Sequence, residues 1–558
     1  MNKKLLTMGL AALLMAGCSS DDVVGGEGDK GGASAVKGYV GITIALPSTS
    51  ASRDVVYDEG TPEEYAVNDV TLLFFNGDEL KQVTQFKAGD FTWTPAEGNH
   101  DGITTETVLP VVPLKDKTAT NVLAIVNNNN TLLKVSSSTL NGNGLIADAG
   151  SLKDKNNNSI TDKTTLLQAI ENTNVTAFTS NGYFMSSAAI SNLTNDGDRL
   201  FTVVTPKESK QEAMDNAKNT VIYVERIVGK ATVNHATGGN WTDWTYEIDD
   251  AASVFNDDKI EFQTWALDLT NTKTYPFHKV SAEAGKNNGF DEWTVGDFTG
   301  NQNRYMWAID PNYSADGAAD LAVTSVENVN NALNKPLYCL ENTFNLPFMK
   351  QPQTTRLLLK AKYTPNSCIG TGSRGTLDDT GWFRLGEGTQ AYTLQGIEAE
   401  LLKMAKVIDP QATGVTVSNL KVGKNAFAET GDINTIVVNT GSGTSWSTPE
   451  YTKLINMAGK LTYFENSMCY YPVLIKHFAQ PWINEDYLNY PNPNNNAFLG
   501  RYGIVRNNWY EITINSVSAP GEPVYPTVPD LADDVTNYYI QATVKILDWA
   551  KRSQSVDL

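Results

Sequence analysis

Four histidines, His100, His235, His278 and His477, are the first candidates for metal binding or proton transfer, and their spacing argues against both. None has a second histidine or a cysteine three or four residues away, and neither Cys-x-x-Cys nor His-Glu-x-x-His occurs. A transition-metal site needs ligands brought together at such intervals, so these read as ordinary surface or turn histidines. Gly370-Thr371-Gly372-Ser373-Arg374-Gly375 has the spacing of a phosphate-cradling loop. Such a loop must open a helix whose free amides meet the phosphate, and Thr376-Leu377-Asp378-Asp379-Thr380-Gly381 is no helix start. An inter-strand loop is expected there. No Gly-x-Ser-x-Gly nucleophile elbow is present. Asp154, Asn156, Asn158 and Asp162 fall at the first, third, fifth and ninth positions of a calcium loop. Ser159 replaces its turn glycine and Thr165 its bidentate glutamate, which removes two oxygens and a charge. A polar turn with at most weak calcium affinity is expected. The chain reads as no enzyme: no catalytic residue, no cofactor and no metal are expected.

Two residues point instead to chemistry done to the chain. Lys3 and Lys4 lead into an apolar run, residues 5–15, that stops at Ala16-Gly17-Cys18. A run of eleven residues is too short to span a bilayer, and the small residues after it read as a processing site. The expectation is a signal peptide over 1–17 and a lipidated Cys18, the sole membrane anchor of the precursor. The second residue is Arg53, the only basic side chain between Lys37 and Lys81, set in a polar loop. A trypsin-like protease would find one bond there, Arg53–Asp54, and none nearby. Of four cysteines, Cys339, Cys368 and Cys469 remain once Cys18 is acylated, which permits at most one disulfide.

The elements around these residues give them meaning. Residues 36–46 alternate, with Val36, Val40, Ile42, Ile44 and Leu46 on one face and Lys37, Tyr39, Gly41, Thr43 and Ala45 on the other. This is the pattern of a half-buried strand. Cutting after Arg53 would release it together with the lipid and the Gly-rich tether 18–35. A strand taken from a sheet leaves two rows of unpaired amides and carbonyls beside an apolar groove, which another chain's strand can fill. The candidate donor is 540–547, where Ile540, Ala542, Val544 and Ile546 share one face. Pattern alone leaves open whether this strand completes its own domain or another chain's.

With 558 residues, the chain is too long for one core. Forty-three basic against 63 acidic residues give a net charge of −20, which disfavours nucleic acid and anionic membrane as ligands. Strands are expected at 70–75, 121–126, 220–233, 260–269, 355–363 and 502–517, and helices at 164–170, 393–408 and 448–457. The 393–408 helix places Leu394, Ile397, Leu401 and Ala405 on one face, and Pro410 stops it. A Gly/Asn/Thr-rich stretch, 234–243, divides an N-terminal β-sandwich, 36–233, from a C-terminal one, 234–529. A Pro-rich connector then leads to the terminal segment 530–558.

Val505-Arg506-Asn507-Asn508-Trp509-Tyr510-Glu511-Ile512-Thr513-Ile514, the ending from Val544-Lys545-Ile546-Leu547-Asp548-Trp549 to Leu558, and Val224-Glu225-Arg226-Ile227-Val228-Gly229-Lys230-Ala231 together resemble the Bacteroidales fimbrillins (type V pilins), most closely the major subunit of the short fimbriae. The resemblance implies an all-β chain of two tandem transthyretin-like β-sandwich domains, with short helical insertions in the second. It also implies an outer-membrane lipoprotein precursor, an arginine-specific protease as partner, and self-polymerisation into a surface fimbria that supports adhesion and biofilm formation. Accessory anchor and tip subunits would be the other partners. The region 393–457 and the Asn-rich loop 489–496 have no counterpart in that pattern. Three other readings compete: an anchor or tip subunit, a monomeric glycan-binding lipoprotein with Trp241 and Trp244 as platform, and a surface hydrolase, for which no constellation is found.

Overall fold

The computed structural model describes residues 36–47, 61–91, 94–95, 103–129, 132–136, 139–141, 144–148, 151–168, 171–172, 175–192, 200–217, 220–279, 294–295, 302–305, 308–314, 321–370, 381–418, 436–477, 500–524, 526–531, 533 and 540–548. Its described elements are overwhelmingly β, with four α-helices. Runs such as Val-Thr-Leu-Leu-Phe-Phe and Val-Leu-Ala-Ile-Val are buried on both faces, so they read as continuous apolar stretches rather than alternations.

Among the described residues the N-terminal half is built on an eleven-stranded sheet. At its centre Asp69–Asn76 lies between Glu79–Lys87 and Asn121–Val126; beyond these come Met185–Ser187, then Val221–Arg226, then Thr43–Pro47, then Ile103–Val108. Val70, Leu72, Phe74, Val122, Ile125 and Ile222 belong to its core. In the C-terminal half a four-stranded sheet runs Leu337–Leu340, Val228–His235, Asn508–Val517, Ile540–Asp548. It shares a second core with the sheet formed by Lys259–Asp268, Arg356–Thr364 and Met468–Leu474, around Trp265, Tyr363, Trp382 and Tyr510.

A third cluster is the insertion. Helix Leu394–Ile408, capped by the Thr393 hydroxyl, and helix Thr448–Ala458, opened by Ser447 and Glu450, cover the hairpin Ala412–Val417/Ile436–Thr440. Ile397, Leu401 and Ala405 are buried as their spacing predicts; Leu394, in the first turn, is 37% exposed instead. Glu398 accepts the Val417 amide at 3.0 Å and the Tyr451 hydroxyl accepts the Val438 amide at 3.2 Å, so helix side chains close both edges of the hairpin.

Two strand expectations are corrected. The strand expected over 502–517 begins only at Asn508, after a turn with Asn507 at φ +58. Residues 220–233 are not one strand but two, Val221–Arg226 in the first sheet and Val228–His235 in the second, with Ile227 between them. Apolar character persists through the change of sheet because both strands are buried, so no period marks it. The chain thereby crosses from one sheet to the other across a single residue, with Val228 still in the first core and Ala231 the first residue in the second.

Candidate functional site

The strand Thr43–Pro47 is bonded on both sides. It runs parallel to Val221–Arg226, with Ile44 opposite Ile222, and antiparallel to Ile103–Val108, with Ile44 opposite Thr107. Just before it, Gly38–Val40 pairs with Val112–Leu114, while Tyr39 exchanges backbone bonds of 2.9 and 2.7 Å with Lys207. Val40, Ile42 and Ile44 are at most 2% exposed and belong to the N-terminal core. Leu46 lies in the strand opposite Thr105.

The outer face differs from its half-buried expectation: Gly41, Thr43 and Ala45 are buried too. The helix Lys210–Asp215 and the residues after it cover Gly41 and Thr43, whose hydroxyl donates to the Ala217 carbonyl at 3.0 Å, while Ala45 packs against Ala188 and Tyr223. No sequence signal marked this helix, which buries only Ala213.

The strand Ile540–Asp548 is antiparallel to Asn508–Val517 of its own chain, with Ile540 opposite Val517, Ala542 opposite Ile514, Val544 opposite Ile512 and Ile546 opposite Tyr510. It is the last strand of its sheet, paired on one side only among the described residues. Ala542 is buried in the C-terminal core. The connector before it is fastened: Tyr470 and Glu522 exchange backbone bonds, and Arg356 donates to the Pro526 carbonyl at 2.9 Å. Cys18, Arg53 and Asp54 lie outside the described residues.

Between the two halves sits a buried polar knot. Lys230 Nζ lies 2.8 Å from Glu64 Oε1 and 3.7 Å above the Trp509 ring, and Tyr338 donates to the same carboxylate. Burial, reinforced by the charge of Glu64, pushes the Tyr338 phenol far up. Arg226 donates from Nε to the Glu64 carbonyl at 2.7 Å, and its amide donates to Asn507 Oδ1 at 3.1 Å. Asn507 adopts φ +58, in the left-handed region where asparagine is among the better-tolerated residues. Arg506 pairs with Glu341 at 3.0 Å with both side chains fully buried. Short pairings, Glu171–Asn172 with Lys273–Thr274 and Ile190–Asn192 with Gln302–Tyr305, stitch the halves further. The stretches 224–231 and 505–508 are thus the two sides of one junction.

Other sequence candidates resolve physically. His278 and His477 are not surface residues: both are buried, His278 at 2.7 Å from Glu225 and His477 at 2.7 Å from the Tyr510 hydroxyl. His235 stacks on Trp241, which also stacks with Phe262 and donates to the Asn515 carbonyl. Asp154 spends its oxygens on the Asn156 and Asn158 amides and the Asn158 side chain, a self-bonded turn. Gly370 packs against the Thr393 cap of the following helix; residues 371–380 lie outside the described ones. Cys339, Cys368 and Cys469 are free and buried, and burial pushes each thiol up to about 12. Among the described residues no group of three or more His, Cys, Asp or Glu could hold a metal ion, and no helix is long and apolar enough to cross a membrane.

Comparison with known proteins adds to this geometry. A fimbrillin of Porphyromonas gingivalis is 12% identical, with 94% of this chain and 100% of that one covered at a TM-score of 0.35. A tip fimbrial protein of the same organism, truncated at its C-terminus, is 12% identical with 92% and 100% covered at 0.29, and a fimbrial assembly protein of Parabacteroides distasonis is 8% identical with 93% and 98% covered at 0.31. At such scores no residue's role passes from those proteins to this one. No curated protein sequence matches the chain. Residues 462–555, spanning Met468–Leu474, Asn508–Val517 and Ile540–Asp548, match the family described as major fimbrial subunit protein type IV, fimbrillin, C-terminal. That match covers the C-terminal part of the chain, residues 462–555, which is similar to the fimbrillin C-terminal region.

Proposed function

We propose that the chain is a structural subunit of a surface fimbria, made as an outer-membrane lipoprotein with its lipid on Cys18. An arginine-specific protease cuts between Arg53 and Asp54, and the strand bearing Val40, Ile42, Ile44 and Leu46 leaves. The vacated groove takes the C-terminal strand of a second copy, through Ile540, Ala542, Val544 and Ile546. Anchor and tip subunits would end the polymer, and adhesion and biofilm formation would follow from it.

One observation carries this reading. The strand upstream of Arg53 is bonded on both sides and buried on both faces, whereas the candidate donor is, among the described residues, held on a single edge. Removal of the first leaves a two-sided vacancy, and release of the second breaks only one ladder. The C-terminal family match agrees with it.

The test is limited digestion of protein lacking residues 1–18 with an arginine-specific protease, followed by intact mass and native gels. The expected result is loss of the segment up to Arg53 together with a ladder of multimers, abolished when residues 540–558 are deleted. Cleavage without multimers would support an anchor-like role, and an uncut monomer would favour the glycan-binding lipoprotein.

A further inference from the structure

The departing strand and its proposed replacement differ most on the outer face. Between Val40 and Ile42 sits Gly41, where a Cβ would lie 2.1 Å from the Ala213 carbonyl oxygen and 2.8 Å from the Ala217 Cβ. Two residues on, Thr43 bonds the Ala217 carbonyl, and Ala45 is fully buried against Ala188 and Tyr223. This face is therefore made of small residues under a close cover. The cover is slight: Lys210–Asp215 is a six-residue helix that buries Ala213 alone, held at its start by the Ser209 cap.

The C-terminal segment has no such small face. No glycine occurs anywhere in 522–558, and the sequence places Gln541, Thr543 and Lys545 between Ile540, Ala542, Val544 and Ile546. Filling the sites of Val40, Ile42, Ile44 and Leu46 with those four apolar residues allows two directions of insertion. In either one Thr543 falls where Thr43 was. Gln541 then takes the place of Gly41 and Lys545 that of Ala45, or the reverse. A Cβ therefore has to stand where only glycine fits, with a long polar side chain beyond it.

We infer that the helix Lys210–Asp215, with the residues through Ala217, is a lid that closes on the N-terminal strand and lifts when the C-terminal strand of another copy replaces it. The inference rests on the strand-exchange reading. For the Cβ alone the helix must retreat by about 1.3 Å, the difference between 2.1 Å and the 3.4 Å of ordinary contact; the rest of Gln541 or Lys545 requires more, because a packed interior does not absorb added atoms without moving. The N-terminal strand is a close-fitting placeholder and the donor a looser one. Exchange therefore runs forward only after proteolysis has let the placeholder go. Lid position separates the uncut subunit from the polymerised one.

Hydrogen exchange read by mass spectrometry over peptides within 208–217 tests this on the uncut chain and on its polymer. In the polymer these amides are expected to exchange faster by about tenfold or more, as local opening requires, while those of Asn121–Val126 stay unchanged. A polymer whose 208–217 amides are as protected as the uncut chain's overturns the lid and leaves strand exchange standing. A cut protein that neither polymerises nor takes up a peptide of residues 538–549 overturns strand exchange, and the lid with it. Gly41→Ala, which lies in the segment that is cut away, should raise exchange over 208–217 in the uncut chain; unchanged protection there refutes the close fit. A donor carrying Gln541→Gly and Lys545→Gly should restore protection in the polymer, and exchange indifferent to the donor would also overturn the inference.

Discussion

Expression of the chain from Asp54 onward removes the N-terminal strand without any protease, and the structure sets the size of the effect. Val40, Ile42 and Ile44 leave the core, and at about 1.5–3 kcal/mol for each fully buried side chain this forfeits roughly 5–9 kcal/mol. Outside the regular ladders, five backbone bonds go as well: Lys37 to Leu114, Tyr39 to Lys207 and back, Thr43 to Thr220, and Leu109 to Ile42. At about 1 kcal/mol net each they add roughly 5 kcal/mol. The total is comparable to the roughly 5–15 kcal/mol that holds a whole domain folded. The N-terminal half should therefore lose its cooperative melting transition and bind a hydrophobic dye, while the half built on Trp265 and Trp382 keeps its own transition. A peptide of residues 36–47 should restore the lost transition, by about 2.7 kcal/mol at one hundred times its Kd. A shortened chain that melts like the full one, with no dye binding, would refute the reasoning, because it would mean that the strand is not integral to the sheet.

Two further outcomes are expected. At pH 8 the thiols of Cys339, Cys368 and Cys469 should resist a thiol reagent in the native chain and react on denaturation, since burial holds their pKa near 12 and the reactive thiolate is scarce below it; native labelling at pH 8 would contradict their placement. Arg506→Met should lower stability by about 3–5 kcal/mol in thermal or urea melts, because Glu341 is left charged and buried. Adding Glu341→Leu should recover much of that loss, and a double variant no better than the single one would show that the pair is not the cause.

The inner face of the N-terminal strand was legible because it is a local period, and the two insertion helices because Thr393, the Thr448-Pro449 pair and Pro410 mark their ends. What stayed hidden was contact between distant residues. Gly41 looked like an ordinary member of an exposed face, since the helix that covers it lies some 170 positions away and spells Lys-Gln-Glu-Ala-Met-Asp, with one buried residue. Glu225 and His278, 53 positions apart, gave no spacing signal, and neither did Arg506 and Glu341, 165 apart. The switch at Ile227 escaped for a different reason: burial on both sides of it erases the alternation that would have marked two strands.

That switch gives the fimbrial reading its mechanical content. Val221–Arg226 borders the groove and Val228–His235 borders Asn508–Val517, the strand that carries Ile540–Asp548. In a fibre, the strand received from one neighbour would be joined to Asn508–Val517 by two hydrogen-bonded ladders and one covalent crossing, and Asn508–Val517 to the strand given to the next by the chain segment 518–539. Tension along the polymer would load those ladders across their lengths rather than pull the two cores apart. The weak point would be the crossing, where the chain changes sheets over one residue. Lys230 with Glu64, Arg226 with Asn507, and Arg506 with Glu341 converge there, and each is buried. Buried ion pairs add little to stability but cost much to break singly, so they hold one geometry against distortion. A junction that must keep acceptor and donor edges in fixed relation, subunit after subunit, is where that property is of most use.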